Sequence, residues 1–170
     1  MDKVVFLDRD GVINKQALPH EYITSWEEFE FLQGVKEGIK RLSDNNYQIF
    51  IITNQAGIAR GKMSLGDLED IHSNMIKEIE EASGKIKKIY FCPHGYSECN
   101  CRKPLPGMLD QAKDEFDIYL RDSWMVGDSD TDIQLGKARD CKTIYIGEGR
   151  SEADHRVNSF EEAIDLIIRS

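Results

Sequence analysis

The 170-residue sequence predicts an α/β fold, a Rossmann-like three-layer sandwich in which helices cover both faces of a parallel sheet. Two observations carry this expectation. Short continuous apolar runs alternate with segments whose apolar residues recur every three or four positions. Three of the apolar runs also stop at a polar residue, Asp8, Thr53 or Asp128. Strands of such sheets end this way where they deliver groups to a crevice beyond their C-terminal ends.

The elements follow in order. Residues 4–7 are apolar throughout, as a strand buried on both faces requires. Val35, Ile39 and Leu42 fall at helical spacing. Residues 47–52 form a second buried strand, ending at Thr53-Asn54-Gln55. Leu65, Leu68, Ile71, Met75 and Ile79 share one helical stripe behind Ser64, a favourable N-cap, and this places His72 off the stripe and in solvent. A strand is expected over 86–91, a helix from Pro106-Gly107 to Phe116, and a strand over 123–126 that Gly127 ends. A helix over 130–139, a strand over 143–146 and a helix over 160–168 complete the alternation. The sequence is read as one domain over 1–170, too short for a large separate cap, with residues 15–32 bordering the site.

Composition limits the possible functions. With 40% hydrophobic and 31% charged residues, an ordinary globular protein is expected. A net charge of −9 argues against a broad nucleic-acid footprint, which needs a basic surface. It leaves room for a small anionic substrate, because a metal or a local cation overrides net charge. No apolar run approaches the roughly 18 residues of a membrane span. The N-terminal apolar run is short and ends at an acid, unlike a secretory signal, so a cytoplasmic protein with reduced thiols is expected.

The chemistry starts at Asp8-Arg9-Asp10-Gly11. Acids at i and i+2 on extended backbone share a side and repel each other unless a cation lies between or beside them. Magnesium, which takes one or two carboxylates together with phosphate and water, answers that need, and Asp128 can complete the set. One carboxylate would then serve as nucleophile and another group as proton donor. Gly11 would let the backbone turn tightly beside the ligand. Thr53 offers a hydroxyl, Asn54 an amide and Lys103 a compact charge for a phosphoryl group. Asp132, four residues beyond Asp128, is placed to brace a cation.

Cys92, His94, Cys99 and Cys101 offer three thiolates and an imidazole, the donor set of a closed, structural zinc site. Arg102-Lys103 follows directly, so this small zinc-binding loop, 92–101, would pin the segment carrying the lysine.

Taken together, Asp8 through Asn14, Thr53-Asn54-Gln55, Lys103-Pro104 and Gly127 through Asp132 resemble the four motifs of the haloacid dehalogenase superfamily of phosphatases, in the right order and over most of the chain. Within it the sequence is similar to the histidinol-phosphate and D-glycero-D-manno-heptose 1,7-bisphosphate phosphatase group. The resemblance implies a nucleophile at Asp8 and a general acid, then base, at Asp10. It implies phosphoryl contacts from Thr53 and Lys103, and magnesium on Asp8, the backbone carbonyl of Asp10, and Asp128. Asn54, Gln55 and Arg102 are the candidate substrate contacts, with Arg102 reading the part of the substrate beyond the phosphate. The group's loop at this place binds zinc.

Three departures stand out. His94 and Cys99 are separated by a loop shorter than is common in the heptose type. Ala56 stands where a serine is common, and Ser129 where a basic residue often follows the motif aspartate. The first bears on the reach of the specificity loop and the last on a substrate contact, and none touches the catalytic core. The expected partner is a small phosphorylated metabolite, with the chain a monomer that engages neither nucleic acid nor membrane. The leading reaction is removal of the 7-phosphate of the heptose bisphosphate. Histidinol phosphate, a nucleic-acid 3′-phosphate and a zinc-dependent interaction module without catalysis are the alternatives. The acidic charge weighs against the nucleic-acid 3′-phosphate, and the intact Asp8, Asp10, Thr53, Lys103 and Asp128 against the module.

Other signals are set aside. The stretch Gly57 to Lys62 is one residue short of a Walker loop, and Met63 replaces its Ser or Thr. His20 and His155 fall in loops, and Cys141 is expected to be a small core residue.

Overall fold

The computed structural model describes residues 3–170. Six parallel strands form one sheet in the order β3-β2-β1-β4-β5-β6. They are β1 (Lys3–Leu7), β2 (Tyr47–Asn54), β3 (Lys88–Cys92), β4 (Trp124–Gly127), β5 (Lys142–Ile146) and β6 (His155–Val157). The helices are α1 (Val35–Asp44), α2 (Leu65–Glu81), α3 (Gly107–Phe116), α4 (Asp130–Lys137) and α5 (Phe160–Arg169).

The two-residue period of a strand divides the core. Val5, Leu7, Ile49 and Ile51 face one way and pack with Ile39, Leu68, Ile71, Met75 and Ile164. Val4, Phe6, Phe50 and Ile52 face the other way and pack with Met108, Leu109, Met125 and Leu135. Each such side chain contributes about 1.5–3 kcal/mol on leaving water. The result is the three-layer sandwich expected from the alternation.

The chain runs outward from β1 through β2 to β3, then returns to place β4 on the other flank of β1. Parallel strands that diverge in this way open a crevice at their C-terminal ends. Asp8 leaves β1 there and Asp128 leaves β4, on neighbouring strands in register at Leu7 and Val126.

Most boundaries agree with the sequence reading to within two residues. β3 begins at Lys88 rather than Ile86, because Ile86 is buried in the preceding loop, where Lys87 N–H bonds the Ile49 carbonyl at 2.7 Å. β6 was not foreseen: it is three residues long, and only Val157 is buried, too little for a periodic signal. It moves His155 from a loop into the edge strand. Leu65 is 47% exposed and does not belong to the apolar stripe of α2. Ser64 does cap that helix, its hydroxyl accepting from Asp67 N–H at 3.0 Å while the Asp67 carboxylate accepts from Ser64 N–H at 2.7 Å. His72 corrects a further expectation. It is 9% exposed, because it lies four residues after Leu68 and three before Met75, inside a buried face wider than one stripe. Cys141 is buried, as expected. Among the described residues, no helix is long and apolar enough to cross a membrane.

Candidate active site

Two glycines let the polar strand ends converge. Gly11 has φ +88°, and a Cβ there would stand 1.9 Å from Asp128 Oδ2. A Cβ on Gly127 would stand 2.2 Å from that of Asp132. Side chains at either place would push the acids out of the crevice.

At the centre, Lys103 Nζ donates to Asp8 Oδ1 at 2.7 Å, to Asp132 Oδ1 at 2.6 Å and to the Ile52 carbonyl at 3.1 Å. The lysine and both acids are almost fully buried. Asp132 Oδ2 is taken by the Ser129 N–H and hydroxyl. Asp132 therefore braces the lysine, as its spacing suggested. Asn54 ties the same loop to β2: its Oδ1 accepts from Lys103 N–H at 2.9 Å and its amide donates to the Lys103 carbonyl at 3.3 Å.

Asp10 lies beside this group in a different frame. Its Oδ1 accepts from Arg9 Nη2 at 2.8 Å and Asn14 Nδ2 at 3.0 Å, and its Oδ2 from Gln55 Nε2 at 2.9 Å. Gln55 also donates to the Thr53 hydroxyl at 2.9 Å. The amides of Asn54 and Gln55 thus bond other site residues, whereas the sequence suggested substrate contacts. Arg102 lies over the Tyr96 ring at 4.4 Å and reaches the His94 carbonyl at 3.4 Å, on the rim. The structure therefore gathers Asp8, Asp10, Thr53, Lys103 and Asp128 at one end of the sheet, with Arg102 at the edge. Arg9, His72 and Gln16 were not anticipated. The place of Arg9 between two acids is a sequence signal for it, whereas His72 carries none without its buried partner.

The electrostatics suit a cation. Burial, then Asp132 and Asp128, push the Asp8 carboxyl well above the carboxylate range against the pull of Lys103. Burial and Asp132 push Asp128 up to about 6. Burial would lower Lys103, but Asp132 and Asp8 outweigh it and hold the ammonium charged. Burial would also raise Asp10, but the Arg9 charge and the bonds from Asn14, Arg9 and Gln55 bring it below the ordinary range. Carboxylate oxygens of Asp8, Asp128 and Asp132 lie within 4.8 Å of one another. Gln16 Nε2 bonds Asp128 Oδ2 at 2.5 Å, while the buried Oδ1 has no partner. With Asp132 engaged by Lys103 and Ser129, Asp8 Oδ1 by Lys103 and the Arg9 N–H, and Asp128 Oδ2 by Gln16, the oxygens left for an ion are Asp8 Oδ2 and Asp128 Oδ1. An all-oxygen donor set with an orphaned carboxylate oxygen fits a hard divalent ion. The Asp10 carboxylate is outside that cluster, its oxygens directed to Arg9, Asn14 and Gln55.

A second constellation closes the loop after β3. Cys92 Sγ lies 3.4 Å from Cys99 Sγ and 2.9 Å from Cys101 Sγ. His94 Nδ1 lies 3.6 Å from Cys92 Sγ and 3.4 Å from Cys101 Sγ. All exceed the roughly 2.05 Å of a disulfide, and three of the four, at 3.4–3.6 Å, are close to the edges of a tetrahedron around zinc, about 3.5–3.8 Å for bonds near 2.0–2.3 Å, while Cys92 and Cys101 sit closer than such an edge. Cys99 is lowered to about 6: burial opposes this, but bonds from Cys101, Arg102 and Cys92 prevail. Burial pushes the Cys92 and Cys101 thiols up.

Comparison with known proteins places this geometry in a family. The HAD-hydrolase-like family model matches residues 100–170. D-glycero-alpha-D-manno-heptose-1,7-bisphosphate 7-phosphatase of Campylobacter jejuni is 44% identical over 153 residues, covering 89% of this chain and 87% of that protein. The chain belongs to the HAD-like phosphatases, in the histidinol-phosphate and heptose-1,7-bisphosphate group. A D-glycero-beta-D-manno-heptose-1,7-bisphosphate 7-phosphatase of Pseudomonas aeruginosa is 38% identical, covering 86% of this chain and 82% of that one. The crystal structure of D,D-heptose 1,7-bisphosphate phosphatase from B. bronchiseptica, complexed with magnesium and phosphate, superposes with a TM-score of 0.92 at 29% identity, over 98% of each chain. As a member of these phosphatases, the protein is a phosphoric monoester hydrolase with the α/β fold described above.

Proposed function

We propose that this phosphatase removes the 7-phosphate of D-glycero-D-manno-heptose 1,7-bisphosphate through a phosphoaspartate on Asp8. The observation that carries the chemistry is the Asp8 carboxylate at the tip of β1, held by Lys103 at 2.7 Å and facing the orphaned oxygen of Asp128. The substrate reading rests on the relatives, whose names specify this sugar bisphosphate. A cleft of about 290 Å³ supports it: Asp10, Asn54, Gln55 and residues 16–23 line a space suited to a small metabolite. We read residues 1–170 as one catalytic domain with the loop 92–101 inserted.

Asp8 attacks the phosphorus in line. The charge of the arriving phosphate raises the Asp10 carboxyl from its lowered value, so that Asp10 takes up a proton as substrate binds; it gives that proton to the leaving sugar oxygen, then takes one from the water that hydrolyses the phosphoaspartate. Lys103 and the Thr53 hydroxyl hold the phosphoryl oxygens. Magnesium bound by Asp8, Asp128 and the Asp10 carbonyl would neutralise charge on the transferring group. Asn54 and Gln55 act mainly by holding Lys103 and Asp10, and Arg102 meets the distal phosphate.

Phosphate release from both anomers of the bisphosphate and from histidinol phosphate, with magnesium, tests the reading. Turnover of one heptose anomer at least about 100-fold above histidinol phosphate is expected, a gap of about 2.7 kcal/mol in transition-state binding. The reverse order would move the protein to the histidinol type. Turnover of none of the three would refute the substrate reading.

We further propose that Cys92, His94, Cys99 and Cys101 bind one structural zinc ion. Elemental analysis of purified protein should find one zinc per chain, and stripping it should lower kcat/KM at least about tenfold through the displaced Arg102-Lys103 loop. Folded, fully active protein without zinc would refute this.

A further inference from the structure

Arg9 is the largest fully buried side chain among the described residues, with no exposure. A buried cation must be paired and hydrogen-bonded. Its acid partner is Asp10, and its Nε is without a hydrogen-bond partner. The other contacts are the Phe29 ring at 5.9 Å from the guanidinium carbon and His72 Nε2 at 3.1 Å from Nη1. A guanidinium can only donate. Nε2 must therefore accept, which places the imidazole proton on Nδ1 and makes His72 neutral. Burial and the facing arginine lower His72 to about 3, in keeping with that geometry.

The guanidinium is a rigid planar fork. One arm rests on His72 and the other on Asp10 Oδ1, so the imidazole fixes the angle at which the fork meets the acid. Oδ1 accepts two donors, Arg9 and Asn14, whereas Oδ2 accepts only the Gln55 amide. Oδ2, with one donor against two on Oδ1, is thus the oxygen that can take up a proton when the phosphate binds. In the first step its O–H bond breaks as the proton passes to the leaving oxygen. In the second it gains a proton from the attacking water.

We propose that His72 is a positioning residue for the general acid, acting through Arg9 to aim Asp10 Oδ2 at the leaving group. This rests on the reading of Asp10 as acid. The two positions are 62 residues apart in the sequence, and α2 supplies His72 from a helix that provides no other site residue.

The leaving group provides the test. An alkyl phosphate needs its oxygen protonated, whereas p-nitrophenyl phosphate releases a stable anion and needs little help. In the magnesium- and zinc-loaded enzyme, His72→Leu should lower kcat on the heptose bisphosphate about 30-fold, with KM within about threefold and kcat on p-nitrophenyl phosphate within about threefold. His72→Gln, whose carbonyl oxygen can replace Nε2 as acceptor, should recover kcat on the sugar substrate to within about threefold. Equal loss on both esters, or unchanged turnover of the sugar substrate by folded His72→Leu protein, would overturn the proposal. If His72→Leu does not fold, His72→Asn, too short to reach Nη1, must show the selective loss, and an unchanged ratio of the two activities there would overturn it. Asp10→Asn separates the two readings. A selective loss in Asp10→Asn without one in His72→Leu defeats only the positioning role, whereas full alkyl turnover by Asp10→Asn defeats the acid assignment and this inference with it.

Discussion

Asp8→Asn is expected to reduce phosphate release by at least about 10⁴-fold, some 5 kcal/mol in the barrier, while leaving the protein folded. The amide is nearly isosteric, but its nitrogen lone pair is delocalised and it cannot form the phosphoaspartate. A second consequence distinguishes this variant from simple damage. In magnesium-free buffer the native state binds a proton at Asp8 more tightly than the unfolded chain does, because burial and the neighbouring Asp132 and Asp128 raise its carboxyl against the pull of Lys103. Between the ordinary carboxylate value and that raised value, the native state holds more protons than the unfolded state, so wild-type stability falls as pH rises. Asp8→Asn has no such group and loses this slope. Thermal melts from pH 4 to pH 8 should show the two proteins diverging in favour of Asp8→Asn towards neutrality. Retained phosphatase activity in Asp8→Asn would remove Asp8 as nucleophile, and parallel melting profiles would contradict the electrostatic account.

Lys103→Met carries the second large effect, on stability as well as rate. Lys103 holds Asp8 at 2.7 Å and Asp132 at 2.6 Å within a nearly dry pocket. Methionine fills much of the same volume but leaves both carboxylates without their cation. Breaking a buried pair from one side typically costs about 3–5 kcal/mol, because the abandoned charge stays in a medium of low dielectric. For a chain of this size that is a fall of about 10 °C in melting temperature. Loss of the phosphoryl contact should lower kcat by a further about 10²–10³-fold. Magnesium should recover part of the stability by supplying charge to Asp8, but not the rate. A melting temperature within about 2 °C of wild type would show that Asp8 and Asp132 do not depend on this lysine.

The outcome for individual residues shows where sequence reasoning stops. Asp8, Thr53 and Asp128 were visible because each ends an apolar run, and Cys92, His94, Cys99 and Cys101 because they are close together in the chain. Asp132 was visible as a brace because it follows Asp128 by four residues in the same acid-rich strand end. Asn54 and Gln55 were recognised as site residues, but their bonds to Lys103 and to Asp10 and Thr53 depend on how β2 meets two separate loops. His72 was misplaced because a polar residue on a helix reads as solvent-facing unless a buried partner is known, and its partner comes from another strand end.

Local rules therefore sufficed for what is local: strand and helix identity, the cap at Ser64, the alternation that makes a parallel sheet, and the residue types available at each strand end. The tertiary structure alone decided which of these groups share a charge. It set β1 beside β4, so that Asp8 and Asp128 face each other, brought Lys103 between Asp8 and Asp132, and buried Arg9 against His72. Coulombic and desolvation energies depend on distance and burial in space, which a sequence specifies only through the fold it forms.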